Sequence, residues 1–274
     1  AIDGYNVCLF SYGQTGAGKT HSMQGSGTGP QRGIIPRAIE QIAKAKIDLE
    51  AKGWEFQIHI SYIEIYCEKI QDLLRKLGSN DEQAPHKIIT NDFGQNIVTN
   101  TQMVHVDPSD SDKINEIMAI AAESRTTAKT GMNAVSSRSH SIFTLHISAM
   151  NERVGVTLHG QLNLVDLAGS ERVERSGVTG QGLVEAKNIN KSLSSLADVF
   201  DAISKKQKFV PFRNSQLTYL LEKALSGSGK TLMMLNLSPT DESVVESLSS
   251  LRFGSKVNSC ELGRAQRAYG HSDD

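Results

Sequence analysis

Cysteine is scarce. Cys8, Cys67 and Cys260 are the three in 274 residues, too few and too scattered for a disulfide framework or a zinc site. They read as ordinary thiols of a reducing compartment. Long apolar runs are missing as well: stretches such as Leu232–Leu235 fall far short of the roughly 18 residues that a membrane span requires, so no membrane association is expected. The opening residues Ala1–Asn6 have neither a basic region nor an apolar stretch, which excludes a signal peptide and leaves a soluble, cytoplasmic protein as the expectation. There is no initiator Met and the chain starts almost on a strand, as a fragment would. Neither sign of charge dominates, with 29 Lys and Arg against 30 Asp and Glu, so a general nucleic-acid binder is disfavoured. With 23 Gly and 6 Pro, the composition is neither collagen-like nor mainly disordered.

What is present is a globular pattern long enough to bury a sizeable core. Val7–Phe10 reads as a buried strand that stops at Gly13, and a helix opens at Lys19-Thr20. Residues 24–33 form a Gly-rich loop. Ile35, Ile39, Ile42 and Ile47 mark a helix from Ile34 to about Ala51, and Glu55–Tyr66 alternates as a strand does. Residues 78–86 are loop-like, Ile97–Val106 resembles a strand, and a helix runs from Pro108-Ser109-Asp110 to about Arg125. After a polar loop at 126–139, two strands, Ile142–Met150 and Thr157–Val165, are joined by a turn at Asn151–Gly155. A Gly-rich stretch follows at 169–183. Helices are expected at Asn188–Lys205, after a cap at Asn214 or Ser215, and at Glu242–Val257, with a strand at Lys230–Leu237 between the last two. The pattern predicts one α/β domain over 1–263: a mostly parallel central sheet, helices on both faces, some antiparallel pairs, and a polar, mobile tail at 264–274.

The strongest chemical signal is Gly13-Gln14-Thr15-Gly16-Ala17-Gly18-Lys19-Thr20, a G-x-x-x-x-G-K-[ST] run with a strand before it and a helix after it. Glycines let successive backbone N–H groups turn toward a phosphate, Lys19 can reach the β- and γ-phosphates, and the Thr20 hydroxyl can ligate Mg²⁺. A similar run, Ala224–Thr231, has Ala in place of the first Gly and lies between a helix and a strand, the reverse order. It reads as a tight turn. Asp166 ends the strand Leu162–Val165, where a carboxylate can hold Mg²⁺ directly or through water, and the Gly169 N–H can approach a γ-phosphate. The hydroxyl-rich segment Asn133–Ser141 suits a loop wrapped around a metal–phosphate centre. No Gly-x-Ser-x-Gly elbow exists, so a serine-hydrolase reading is excluded. A guanine-reading Asn-Lys-x-Asp is also absent, because Asn190-Lys191-Ser192-Leu193 ends in Leu. ATP is therefore favoured.

Together these motifs resemble the kinesin motor domain. Tyr12–Thr20 is similar to its P-loop, Asn133–His140 to switch I, Asp166–Glu171 to switch II, Asn188–Leu193 to the start of the relay helix, and Val210–Ser215 to the segment before the next helix. They occur in the family's order over nearly the whole chain. The resemblance implies a P-loop fold and a microtubule-stimulated ATPase using ATP and Mg²⁺ in the cytoplasm, on the microtubule cytoskeleton, the spindle included. It implies that Ser137 assists Thr20 and Asp166 at the metal, that Asn133 and Ser136 place the attacking water, and that Gly169 senses the γ-phosphate. Arg138 and Glu171 would pair when the switches close, and His21 would stack near adenine.

Residues 185–230 carry eight basic and four acidic residues, a basic region suited to acidic tubulin. The ending Phe253–Gly263 is similar to that of C-terminal-motor, minus-end-directed kinesins, and dimerisation would lie outside this chain. Three positions where the family commonly has basic residues, Gly182, Val184 and Gln216, are uncharged here, so weaker or more salt-sensitive track binding is expected. Ala134, Val135 and Cys67 also depart from the frequent residues. The family's first strands and helix would precede Ala1. Without them Lys230–Leu237 is expected to form an exposed sheet edge. The competing reading is a nucleotide-regulated module that tethers to microtubules without moving.

Overall fold

The computed structural model describes residues 1–27, 29–75, 84–127, 137–171 and 181–270, with backbone alone for 181–190 and for Gly270. The elements in chain order are β1 (Asn6–Tyr12), α1 (Lys19–Met23), α2 (Ile34–Glu50), β2 (Glu55–Tyr66), β3 (Lys69–Asp72), β4 (Ile88–Thr90), β5 (Asn96–Val98), β6 (Val104–His105), α3 (Ser111–Thr127), β7 (His140–Asn151), β8 (Val156–Asp166), α4 (Gln181–Ser204), α5 (Gln216–Leu225), β9 (Lys230–Leu235), α6 (Val244–Asn258) and β10 (Tyr269–Gly270).

The main sheet runs β3-β2-β7-β8-β1-β9. β1 is parallel to both β8 and β9, whereas β8, β7, β2 and β3 pair antiparallel in turn. β9, β1, β8 and β2 therefore share one direction. Strand alternation splits the core in two. Cys8, Phe10, Ile63, Ile65, Ile142 and Val165 face Leu196, Phe200, Leu217 and Leu221 of α4 and α5. Ile58, Ile60, Tyr62, Phe143 and Leu145 face Ile35 and Ile39 of α2 and Ile117 of α3. Helices thus cover both faces, as the period-2 and period-3.6 patterns require.

Local chemistry sets the ends. Ser215, not Asn214, caps α5, its Oγ accepting from the Thr218 N–H at 3.1 Å. Asp110 Oδ1 accepts from the Lys113 N–H at 2.9 Å at the start of α3. Ile47, assigned to the apolar stripe of α2, is exposed. The single strand expected at Ile97–Val106 is broken into β5 and β6, with Asn100 at φ 59° between them. β3 was not anticipated: it follows a hairpin turn at Cys67 and Glu68, both with positive φ (49° and 60°) and neither a residue that favours it. The run Ala224–Thr231 is indeed a helix-to-strand turn, where Thr231 Oγ1 donates to the Ala224 carbonyl at 2.9 Å.

Within its described part, the tail pairs with the sheet. Tyr269 and Gly270 pair antiparallel with Leu158 and Thr157 of β8, and the Ala268 N–H donates to the Gly4 carbonyl at 2.8 Å. These are backbone bonds, so the polarity of the side chains gave no sign of them. β9 lies at the end of the sheet path as expected, with Leu232 58% exposed. Beside it, α6 presents Val244, Val245, Leu248 and Leu251 to solvent.

Candidate functional site

The loop between β1 and α1 is shaped by its glycines. A Cβ on Gly13 would collide with the Asn236 carbonyl oxygen, so the backbone there has room for hydrogen only. Gly18 caps α1 at φ 92°, a conformation that other residues rarely adopt. At both Gly16 and Gly18 a Cβ would meet nothing, so the loop faces open space. Because α1 has only five residues, the anion-binding character of this turn rests on loop N–H groups and Lys19 more than on a long helix dipole.

Lys19 is buried, and its Nζ donates to the Gln14 carbonyl at 3.0 Å. Burial lowers its pKa, opposed by the charges of Asp166 and Glu171. Thr20 Oγ1 donates to Asp166 Oδ2 at 2.6 Å, and Ser11 Oγ to Oδ1 at 3.4 Å. Burial raises the Asp166 carboxyl, against the pull of Thr20, Arg125 and Lys19. A buried carboxylate beside a hydroxyl, next to an open loop, is a hard-oxygen donor set that fits Mg²⁺ and a polyphosphate.

The segment after Asp166 is fastened on two sides. Glu171 accepts from the Thr15 N–H at 2.8 Å and from Thr15 Oγ1 at 2.6 Å. The Ser170 N–H donates to the Gly13 carbonyl at 3.1 Å. The Gly169 N–H, expected to face a γ-phosphate, donates here to the Ser137 carbonyl at 2.8 Å. A Cβ on Gly169 would strike Thr15 Oγ1 and the Glu171 carboxylate. Three stretches, 13–20, 137–140 and 166–171, therefore meet, with Arg138 following the Ser137 carbonyl that Gly169 holds. Asn133 and Ser136 lie outside the described residues. His21 is exposed on α1, its Nε2 3.2 Å from Gln31 Oε1.

Sequence reasoning missed two connections. His140 Nδ1 accepts from the Ala168 N–H at 3.1 Å, which leaves the proton on Nε2 to be shared with Ser192 Oγ of α4 at 2.7 Å. Burial, then the charge of Lys19, pushes this imidazole down to about 3, so it stays neutral. Glu64 of β2 accepts from Ser139 Oγ at 2.5 Å and pairs with Arg125 of α3 at 3.2 Å, all three groups being buried. The partners are 52, 75 and 61 positions apart, so no local pattern could reveal them.

A family model described as "Kinesin motor domain" matches residues 1–260. The chain belongs to the kinesin motor family. It is 48% identical over 277 residues to Kinesin-like protein KIN-14D of Arabidopsis thaliana, covering 97% of this chain and 35% of that protein. Carboxy-terminal kinesin 2 of Xenopus laevis is 44% identical, with 97% and 41% covered. This chain therefore spans well under half the length of these curated kinesins. A solved KIF14 dimer, with AMP-PNP and in complex with a microtubule, superposes with a TM-score of 0.84 at 36% identity, covering 97% of this chain and 74% of that one. Kinesin motor domains are ATPases, and the P-loop NTPase-like α/β fold expected from the sequence is the one observed.

The basic 185–230 region is more heterogeneous than its charge suggests. Lys205 pairs with Asp201 at 2.6 Å, which Lys256 also engages at 2.5 Å, and Lys206 reaches Glu261 at 3.0 Å. Lys230 sits 3.8 Å from the centroid of the Tyr5 ring, beside the tail.

Proposed function

We propose that this kinesin head is a microtubule-stimulated ATPase that converts ATP hydrolysis into movement along microtubules, directed toward the minus end as in the C-terminal kinesins it resembles. The observation that carries this reading is the double attachment of segment 166–171: to the P-loop through Thr20, Thr15 and Gly13, and to Ser137 and α4 through Gly169 and His140. Loop N–H groups and Lys19 would orient the triphosphate. Mg²⁺, held by Thr20, Asp166 and Ser137, would neutralise charge on the phosphate oxygens. Gly169 would exchange the Ser137 carbonyl for a γ-phosphate oxygen, and Arg138 would take up Glu171 as Thr15 releases it. Asn133 and Ser136 would place the water. His140 conveys the shift of Ala168 to Ser192, and α4 carries it to the basic surface that meets tubulin. His21 would lie by the adenine.

Steady-state ATPase of the full-length protein with and without microtubules tests this. Strong stimulation supports the motor. Binding without stimulation would select a tether instead. In cosedimentation across a salt series, the uncharged Gln216 and the intramolecular pairing of Lys205 and Lys206 predict affinity that falls steeply with salt. Salt-resistant binding would contradict a chiefly electrostatic contact.

A further inference from the structure

Away from the P-loop, one face of the sheet carries four of the eight histidines: His59, His105, His146 and His159. His105 of β6 stands directly opposite His59 of β2, and His59 directly opposite His146 of β7. Opposed residues of antiparallel strands share a face, so three imidazoles lie in one row. A cavity of about 500 Å³ adjoins the row, lined by His59, His146 and His159 and, across from them, by Phe93 and Gln95.

The four rings are not equivalent. His146 Nε2 lies 2.8 Å from Ser61 Oγ, and His159 Nδ1 lies 3.2 Å from Ser148 Oγ. His159 also stacks on Phe93 at 3.4 Å. His59 and His105 have no such partner among the described residues. They meet each other edge to face, with centroids 5.3 Å apart and planes at 73°. In a tetrahedral site with metal–nitrogen bonds of about 2.0–2.1 Å, each ring centroid lies about 3.2 Å from the ion, so two centroids lie about 5.2 Å apart. The observed spacing leaves room for two imidazoles to share one ion, although an edge-to-face ring pair has the same spacing without one.

We propose that His59 and His105 chelate a first-row divalent ion that accepts tetrahedral geometry, of the Zn²⁺ or Co²⁺ class, which imidazole suits, in contrast to the hard Mg²⁺ suited to Asp166 and Thr20. No group of three or more His, Cys, Asp or Glu among the described residues is arranged to hold a metal, so this is a two-point chelate with its other positions open to water. His105 is exposed, which gives the ion a path from solvent. β6 pairs with β2 over two residues, extended by the Val106 N–H donating to the Ile58 carbonyl at 2.9 Å, and leads into α3, whose Arg125 grips Glu64. A bound ion would fasten this short strand.

The test is calorimetric titration of Co²⁺ into the full-length protein, free of any histidine tag and loaded with Mg²⁺ and ADP. One equivalent per head is expected. His59→Ala and His105→Ala should each weaken it by about tenfold or more, while His159→Ala, in the same cavity, leaves it intact. With Co²⁺ as the probe, NMR should show two strongly shifted imidazole N–H signals in the parent and one in His105→Ala. Because His105 is an exposed edge residue, its variant keeps the fold, which circular dichroism verifies. Absence of stoichiometric Co²⁺ binding in the parent, or unchanged affinity in His105→Ala, would overturn the assignment.

Discussion

Two ends of the same sheet treat their side chains in opposite ways. Where β1 and β8 end, polar groups are drawn inward and given partners: Asp166 with Thr20 and Ser11, Glu64 with Ser139 and Arg125, His140 with Ala168 and Ser192. One strand away, β9 and α6 leave Leu232, Val244, Val245, Leu248 and Leu251 facing water. Burying a polar group is costly unless it is bonded, so the first region is specified within the described chain. Apolar side chains on an edge strand leave a surface that other protein can cover, so this second region is not specified by contacts among the described residues.

The sharpest way to break this contrast is Glu171→Ala. It should lower microtubule-stimulated turnover by about 100-fold or more while a fluorescent nucleotide still binds, because only the positioning of segment 166–171 is lost. Equal turnover in variant and parent would remove the polar clasp from the mechanism. Next in size is the response to acid. His140 has a folded value of about 3 against an ordinary value of about 6.5. Below pH 6.5 the unfolded chain takes up a proton there that the folded chain refuses. Stability therefore falls with pH by about 1.4 kcal/mol per unit, reaching about 2 kcal/mol at pH 5. Urea unfolding at pH 8 and pH 5 should show this loss shrinking by about that amount in His140→Asn.

The apolar edge makes the opposite kind of prediction. The 274-residue chain alone should melt without a clean cooperative transition and aggregate. Leu232→Lys with Leu248→Glu should raise its monomeric fraction in light scattering while leaving its circular dichroism spectrum unchanged. A monomeric, cooperative melt of the parent would show that the edge needs no cover. Smallest is Cys67→Asn, which eases a φ of 49° and should stabilise by about 0.5–1 kcal/mol in the same urea assay.

What could be read in advance follows the same division. The P-loop and the Asp166–Glu171 run are contiguous, and their chemistry lies in residue types at fixed spacing. The main helices and strands follow from periodicity. The His140–Ser192 and Glu64–Arg125–Ser139 links join residues that only the folded sheet brings together. β3 went unread because Cys67 and Glu68 are poor turn formers, held there by the Glu64–Gln71 and Ile65–Ile70 register and by the Gln216 N–H on Glu68. The tail went unread because main-chain pairing is indifferent to side-chain polarity.

Gly169 has a consequence for how closely two stretches of the chain can lie. A Cβ at this position would meet Thr15 Oγ1 and the Glu171 carboxylate, so any side chain there would press on the hydrogen bonds that join them. Glycine at 169 thus lets the stretch after Asp166 lie flush on the P-loop, and even alanine there would act as a wedge between the two.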